Sequence, residues 1–176
     1  AKKNYKRNGV FICGDICKIP VKDNVMDAVV SHHTLYHVPK NLQENAFNEL
    51  YRVTKPDGGT CVVVYNWFYY SLFMNLTLLP VQIYRVLSYM ASRIYSPYIN
   101  KKNPKLYFYV HAPFWLKRFH FYDKIEVKSW RIANNYFLKF YFLKKFGGKK
   151  LLNTLQKWEE KYSKLFGWIG DYPMFV

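Results

Sequence analysis

The stretch that decides the fold runs from Gly14 to Pro39 and reads GDICKIPVKDNVMDAVVSHHTLYHVP. It follows one short apolar run, Val10–Cys13, and contains a second, Ala28–Val30. Gly-Asp ends the first run, and Ser31 ends the second, with three histidines close behind. Near-continuous apolar runs of this length are typical of strands buried in a parallel sheet. We therefore expect two parallel strands with polar residues at their carboxyl ends.

The residues that follow predict a strand–helix–strand unit. Apolar residues recur on one face of a helix over Asn41–Val53. The sequence KPDGG at 55–59 predicts a turn, because proline fixes φ and glycine permits a positive φ. The run TCVVVY predicts a third strand, Thr60–Tyr65. Short links between these elements imply a right-handed parallel crossover.

The C-terminal half predicts further helices and an antiparallel strand pair. Residues 58–84 carry no charged side chain, and we interpret them as the strand followed by a buried helix, Ser71–Met90. A membrane span is the alternative, although the polar residues among them make it costly. Periodicity predicts helices at His111–Phe121 and Lys149–Phe166, and strands at Lys124–Arg131 and Tyr172–Val176. We expect one domain in three parts, residues 1–66, 67–123 and 124–176.

The charge of the chain is strongly basic and unevenly distributed. The net charge is +16, and residues 101–164 hold sixteen basic and four acidic residues. Such a segment can bind an anionic partner, either RNA or a membrane surface, or it can simply be a solvated face. One alternative function is therefore a nucleic-acid-binding module over Lys101–Lys150, with Tyr107, Trp115 and Tyr136 as stacking groups. Another is a peripheral membrane protein that lies on Trp67–Met90.

The cysteines indicate a reducing compartment. The chain has three cysteines and no CxxC motif, which argues against a disulfide framework. We expect a cytoplasmic protein, with a peripheral position on a membrane as the alternative. His33 and His37 are four residues apart, but no third ligand follows at a suitable spacing, so no metal site is expected.

Two segments together resemble a known family. GDICKIPVKDNVMDAVVSHHTLYHV and FNELYRVTKPDGGTCVVV are similar to the central half of a class I S-adenosylmethionine-dependent methyltransferase, over about residues 5–66. That family has an apolar strand, Gly-Asp, Leu-Pro, a turn, Phe-Asp-x-Val, a Leu-His-His segment and Arg-Val-Leu-Lys-Pro-Gly-Gly. Met26, Thr54 and Asp57 depart from this pattern. The resemblance implies an α/β fold, a Rossmann-like parallel sheet with an antiparallel C-terminal strand pair.

The resemblance also implies a cofactor, S-adenosyl-L-methionine, and residues that contact it. The Asp15 carboxylate would accept a hydrogen bond from the adenine amino group, and the Ile16 N–H would donate to the adjacent ring nitrogen. Ser31 would pass close to the methionine end. The alternative for Asp15 is a turn-forming residue. His37 is the candidate catalytic base for an unknown methyl acceptor, although a packed structural histidine is the commoner role.

Parts of the family pattern are absent from the sequence. No GxGxG loop occurs, nor does the acidic residue that would end the second strand of the family. We therefore expect the N-terminal strands to be missing and the N-terminal half of the domain to act as a partner. The Val10–Cys13 strand should then be an unpaired edge, and the chain alone should not be a competent enzyme.

Overall fold

The computed structural model describes residues 10–95, 106–133, 137–138 and 148–176. Three short 3₁₀ helices lie at Leu35–His37, Pro113–Arg118 and Tyr122–Lys124. The α-helices and strands follow in chain order as β1 (Ala28–His32), α1 (Gln43–Val53), β2 (Thr60–Val64), α2 (Leu72–Thr77), α3 (Leu79–Tyr95), β3 (Val127–Arg131), α4 (Gly148–Lys161), α5 (Ser163–Ile169) and β4 (Tyr172–Phe175).

The four strands form one mixed sheet in the order β1-β2-β4-β3. β1 and β2 are parallel, in a register that runs from Ala28 opposite Thr60 to His32 opposite Val64. β4 is antiparallel to both β2 and β3. Helix α1 connects the two parallel strands, as the strand–helix–strand pattern predicts. The α/β class and the antiparallel C-terminal pair are thus confirmed.

The predicted strand at Val10–Cys13 is wrong. Residues 10–14 form no strand pairing, and the side chains of Val10 and Ile12 are 91% and 61% exposed. An apolar run becomes a strand only when its backbone groups pair with a neighbouring strand. Among the described residues, β1 pairs with β2 on one side only, and none pairs with residues 10–14.

The single buried helix predicted over Ser71–Met90 is in fact two helices, α2 and α3, and α3 is largely exposed. Ser71 caps α2 by accepting a hydrogen bond from the Met74 N–H, and the chain then restarts as α3 around Pro80. Met74 is buried against the C-terminal part of the chain, but Ile83 and Leu87 on α3 are 52% and 60% exposed. The predicted burial of this helix was wrong, because among the described elements α3 packs mainly on α2. Within the described ranges, no helix is long and apolar enough to span a bilayer.

Proline and loop geometry also shorten two other predicted helices. Residues 111–121 hold a 3₁₀ helix that begins at Pro113 rather than an α-helix. The helix predicted over Lys149–Phe166 is two helices that meet at Tyr162. Gly167 lies so close to the backbone of Lys128 that a Cβ atom would approach it to 2.7 Å, so α5 packs tightly on β3.

Aromatic side chains fill the core between the sheet and α1. Phe47 on α1 is 3% exposed and contacts the rings of Trp115, Phe119, Phe121 and Phe175 at centroid distances of 4.7–6.0 Å. These edge-to-face and stacked pairs join α1 to segments more than sixty residues away. The core therefore fixes the position of residues 106–121 against the parallel strands.

A buried amide lies in this core. Gln43 is fully buried, and its amide nitrogen donates to the carbonyl oxygens of Val38 at 3.0 Å and Tyr109 at 2.9 Å. The amide oxygen accepts from the Tyr65 hydroxyl at 2.7 Å. That hydroxyl in turn accepts from the His111 N–H at 3.1 Å. Burial raises the pKa of Tyr65, so the phenol keeps the proton that it donates.

Replacing this amide should destabilise the fold. Gln43→Met keeps the side-chain length but leaves two carbonyls and one phenol without their partner. We expect the free energy of unfolding to fall by about 2–4 kcal/mol, because each buried unpaired group costs roughly 1–3 kcal/mol. Urea unfolding followed by circular dichroism measures this change.

The matched control is Gln156→Met on the exposed face of α4. It should change the unfolding free energy by no more than about 0.5 kcal/mol. Equal effects of the two substitutions would show that the buried network does not stabilise the fold.

Candidate functional site

The carboxyl ends of β1 and β2 meet at one edge of the sheet. Ser31 and His32 end β1, and the chain leaves β2 at Val64 toward Trp67. Ligands in open α/β sheets bind beyond the carboxyl ends of the parallel strands. The predicted residues Ser31 and His37 therefore lie in the region where such a fold binds its ligand.

Asp15 lies in an exposed turn before β1. Its Oδ1 accepts a hydrogen bond from the Cys17 N–H at 2.9 Å, and its carbonyl accepts from the Lys18 N–H at 3.0 Å. This is the turn-forming role of an aspartate, which leaves the second carboxylate oxygen for another donor. Ile16 is half-buried and packs against the main core. The contacts of Asp15 and Ile16 with a cofactor remain predictions.

An ion-pair network holds this turn against α1. The Arg52 guanidinium donates to the carbonyls of Ile19 and Val21, both at 3.0 Å. It also pairs with Glu49 at 2.7 Å and with Asp23. Glu49 accepts from the Ile19 N–H at 2.8 Å, and the Arg52 hydrogen bonds lower the pKa of Glu49. The loop between Asp15 and β1 is thus fixed by side chains of one helix.

Ser31 is 6% exposed, and its hydroxyl has no hydrogen-bond partner among the described residues. Buried hydroxyls in folded proteins almost always have a partner. The Ser31 hydroxyl can therefore accept from, or donate to, a bound polar group. Among the described residues, the Ser31 hydroxyl and Nδ1 of His33 are both buried without a partner at the carboxyl end of β1.

Histidine and aromatic rings cluster beyond the end of β1. Tyr36 is buried, and its ring centroid lies 4.5 Å from His37, 5.2 Å from Phe108 and 5.9 Å from His33. The Tyr172 ring lies 5.0 Å from His33. The His32 ring lies 4.2 Å from that of His33. We call the whole group the histidine–aromatic cluster: His32, His33, Tyr36, His37, Phe108 and Tyr172.

His37 is held in one tautomer. Its Nδ1 lies 2.8 Å from the carbonyl oxygen of Tyr107, and a carbonyl only accepts, so Nδ1 carries the hydrogen. In this tautomer Nε2 is the nitrogen that can accept a hydrogen bond. Tyr107 is itself fixed, because its hydroxyl accepts from the Lys40 N–H at 2.9 Å. A general base also needs the proton of its substrate within hydrogen-bond reach, so the catalytic role of His37 stays a prediction.

His33 has an unusual backbone conformation. Its φ is +56°, in the left-handed region that non-glycine residues seldom occupy. Its Nδ1 is buried and has no hydrogen-bond partner among the described residues. Burial, then the charges of His32 and Arg131, lower the pKa of His33. The ring is therefore neutral at pH 7.

Tertiary structure adds residues that the sequence did not single out. Tyr172 and Arg131 come from the C-terminal strands, and the Arg131 guanidinium lies 4.5 Å from the Tyr172 ring centroid. Burial raises the pKa of Tyr36 to about 12, so its phenol stays protonated. The sequence signals for this cluster were the histidines after β1 and the tyrosine between two of them in HTLYHV.

Of the stacking groups predicted for nucleic acid, Trp115 is covered, whereas Tyr107 is 46% exposed. Trp115 is 6% exposed and stacks on His111 at 4.6 Å, so its faces are covered. Tyr136 and residues 101–105 lie outside the described residues. Across the described ranges, no group of three or more His, Cys, Asp or Glu could hold a metal ion. A cleft lined by Tyr51, Lys55 and Phe121 lies at the amino end of β2, away from the histidine–aromatic cluster.

The lowered pKa of His33 predicts a pH dependence of stability. In the unfolded chain, His33 takes up a proton as the pH falls below about 6.5, its ordinary pKa. In the folded chain it does so only at a lower pH, because its pKa is lowered. The free energy of unfolding should therefore fall as the pH drops below about 6.5. His33→Asn should make this fall shallower, because asparagine tolerates the positive φ but does not titrate.

Thermal or urea unfolding at several pH values between 7 and 5 measures this slope. The exposed His120 is the control, and His120→Asn should leave the slope as in the unsubstituted chain. A slope that His33→Asn does not change would contradict the burial of the His33 ring.

Comparison with known proteins identifies the segment that carries these features. Residues 1–62 match a family model described as a methyltransferase domain. A cycloartenol-C-24-methyltransferase of Oryza sativa subsp. japonica is 39% identical over 57 residues, which are 32% of this chain and 15% of the rice protein. A sterol 24-C-methyltransferase of Schizosaccharomyces pombe is 35% identical over 66 residues, 38% of this chain and 16% of that protein.

An uncharacterized methyltransferase of Schizosaccharomyces pombe is 42% identical over 60 residues, 34% of this chain and 21% of that protein. The chain thus spans only a small part of the length of these relatives. The matched residues include the turn at Asp15, strand β1, the histidines, α1 and the start of β2. Residues 1–62 are thus similar to part of a methyltransferase domain, which confirms the resemblance to class I S-adenosylmethionine-dependent methyltransferases.

Proposed function

We propose that this chain is part of an S-adenosylmethionine-dependent methyltransferase whose acceptor lies against the histidine–aromatic cluster. The observation that carries the proposal is the buried, unpartnered hydroxyl of Ser31 at the carboxyl end of β1, beside the neutral ring of His33. A polar ligand group at this edge of the sheet would satisfy the Ser31 hydroxyl. The proposed activity belongs to a protein that also supplies a glycine-rich cofactor loop, because these 176 residues contain none.

The proposed cofactor contacts come from two segments that border α1. Asp15 and Ile16 would contact the adenine ring, with the turn held in place by Arg52 and Glu49. Ser31 would contact the methionine end. When bound, the cofactor supplies an electrophilic methyl group on a sulfonium sulfur. The residues of this chain position that group, and positioning can supply much of the rate of an in-line displacement.

The proposed acceptor is a molecule with an apolar body. Two of the relatives are named as sterol methyltransferases, and the rings of Tyr36, Phe108 and Tyr172 give the site an aromatic wall. The acceptor would take the methyl group that the bound cofactor supplies, with loss of the carbon–sulfur bond of the cofactor. The acceptor then loses a proton, for which we propose Nε2 of His37 as the base.

Asp15 tests the cofactor side of this proposal. In the full-length protein, Asp15→Ala should weaken S-adenosylmethionine binding by about 1–3 kcal/mol, the cost of an unpaired polar partner. Isothermal titration measures the affinity. The substitution should also reduce discrimination against an inosine analogue of the cofactor, because the lost contact is to the adenine amino group.

The control for Asp15 is Asp57→Ala, which removes an exposed aspartate from another turn of the matched segment. It should leave both the affinity and the discrimination unchanged. Asp15→Asn keeps the turn hydrogen bond, so it separates loss of the turn from loss of the cofactor contact. Full affinity in Asp15→Ala would leave Asp15 with a turn-forming role alone.

His37 tests the acceptor side. His37→Asn retains a donor for the Tyr107 carbonyl but removes the proton acceptor. The turnover number should fall by about 10²–10⁴-fold, the usual contribution of a general base, and the acid limb of the kcat/KM profile should disappear. His120→Asn, on the exposed surface, should keep both. If His37→Asn changed only KM and kept the acid limb of the profile, His37 would have a structural role alone.

A further inference from the structure

Helix α3 presents an apolar stripe to solvent. Five apolar residues recur at i, i+4, i+7, i+8 and i+11, which places them within about 100° of arc on one side of the helix. All five are 51–60% exposed. They are Leu79, Ile83, Val86, Leu87 and Met90, and we call them the α3 stripe. A stripe of this width normally faces a core.

The exposed apolar surface continues beyond α3. Leu72 and Leu76 on α2 are 59% and 72% exposed, and Tyr69 and Tyr70 are 64% and 44% exposed. Monomeric proteins seldom expose so many neighbouring apolar side chains unless the surface binds a partner. The two helices therefore form a docking surface that follows directly after β2.

The charge of this part of the sequence is of one sign. Between Asp57 and Asp123 there is no acidic residue, whereas seven lysines and arginines occur there. A run of this kind favours an anionic partner and disfavours a second copy of the same surface, because two copies would bring like charges together. Tyrosines beside an apolar stripe are typical of segments that lie at a bilayer interface.

The same surface reaches the histidine–aromatic cluster. The Phe108 ring lies 6.5 Å from that of Tyr69 and 5.2 Å from that of Tyr36. Phe108 is therefore both a member of the cluster and a neighbour of the docking surface. A lipid layer against α2 and α3 would lie beside the candidate site.

We propose that α2 and α3 bind an anionic lipid bilayer, with the α3 stripe inserted at its interface. Helix α3 has 17 residues and is thus roughly 25 Å long, enough for several side chains to insert together. This binding is independent of methyl transfer, so it can be tested without a known acceptor or cofactor. Apolar burial and attraction to anionic headgroups act together in such helices.

The test is co-sedimentation of the chain with phosphatidylcholine vesicles that contain either no phosphatidylserine or about 30 mol %. The chain should bind the anionic vesicles about tenfold more tightly than the neutral ones. The double substitution Ile83→Gln/Leu87→Gln should weaken binding to the anionic vesicles by a further factor of about ten or more, because two inserted side chains are lost.

The matched control is Leu152→Gln/Leu165→Gln on α4 and α5, where the two leucines are 40% and 56% exposed. It makes the same chemical change with the same net charge, and it should keep vesicle binding within about twofold. Circular dichroism checks that all variants keep their helices. A second stripe variant, Val86→Gln/Met90→Gln, should reproduce the loss.

Three outcomes would overturn the proposal. The chain could fail to sediment with either vesicle. The stripe variant Ile83→Gln/Leu87→Gln and the control Leu152→Gln/Leu165→Gln could weaken binding equally, or neither could weaken it. Vesicle binding would then result from general electrostatic attraction and not from the α3 stripe. Sedimentation equilibrium without lipid could show a dimer that Ile83→Gln/Leu87→Gln dissociates, which would make a second copy the occupant of the α3 stripe.

Discussion

The buried amide of Gln43 is the constraint on which the walls of the candidate site depend. It joins Val38, which follows the histidines, to Tyr109 on a distant segment and to Tyr65 at the end of β2. A satisfied polar group in an aromatic core restricts the packing more than apolar contacts do, because its hydrogen bonds have defined directions. The position of Tyr107 and Phe108 beside His37 follows from this connection.

The parallel pairing of β1 with β2 determines where the candidate site lies. It places Ser31, the histidines and the start of the docking surface at one edge of the sheet. Burial there acts on each group differently: it lowers the pKa of His33 and raises that of Tyr36 to about 12. Both effects keep these two groups neutral at pH 7.

The surface around the Asp15 turn and α1 is charged, whereas the helices after β2 expose apolar side chains. This difference fits the proposed lipid-facing role of α2 and α3. Arg52 and Glu49 fix the Asp15 turn through ion pairs on one side of α1. The helices after β2 instead expose leucine, isoleucine and tyrosine in a stretch without carboxylates. An apolar acceptor reaches a site more readily when the protein lies on the membrane that dissolves it. The proposed membrane surface and the proposed acceptor thus support each other, although each has its own test.

The sequence by itself determined the elements whose pattern is local. Strand β1, helix α1, the turn at Gly58 and strand β2 follow from apolar periodicity and from proline and glycine. The motif between Gly14 and Gly59 carried the resemblance to a methyltransferase family. Asp15 and Ile16 lie before β1, Ser31 lies near its carboxyl end and His37 lies beyond it. The roles of these residues stay predictions. Tertiary structure alone decided that Val10–Cys13 is not a strand, that the α3 stripe faces solvent and that Tyr172 and Arg131 border His33. Strand pairing and burial depend on residues distant in the chain, and no local pattern contains that information.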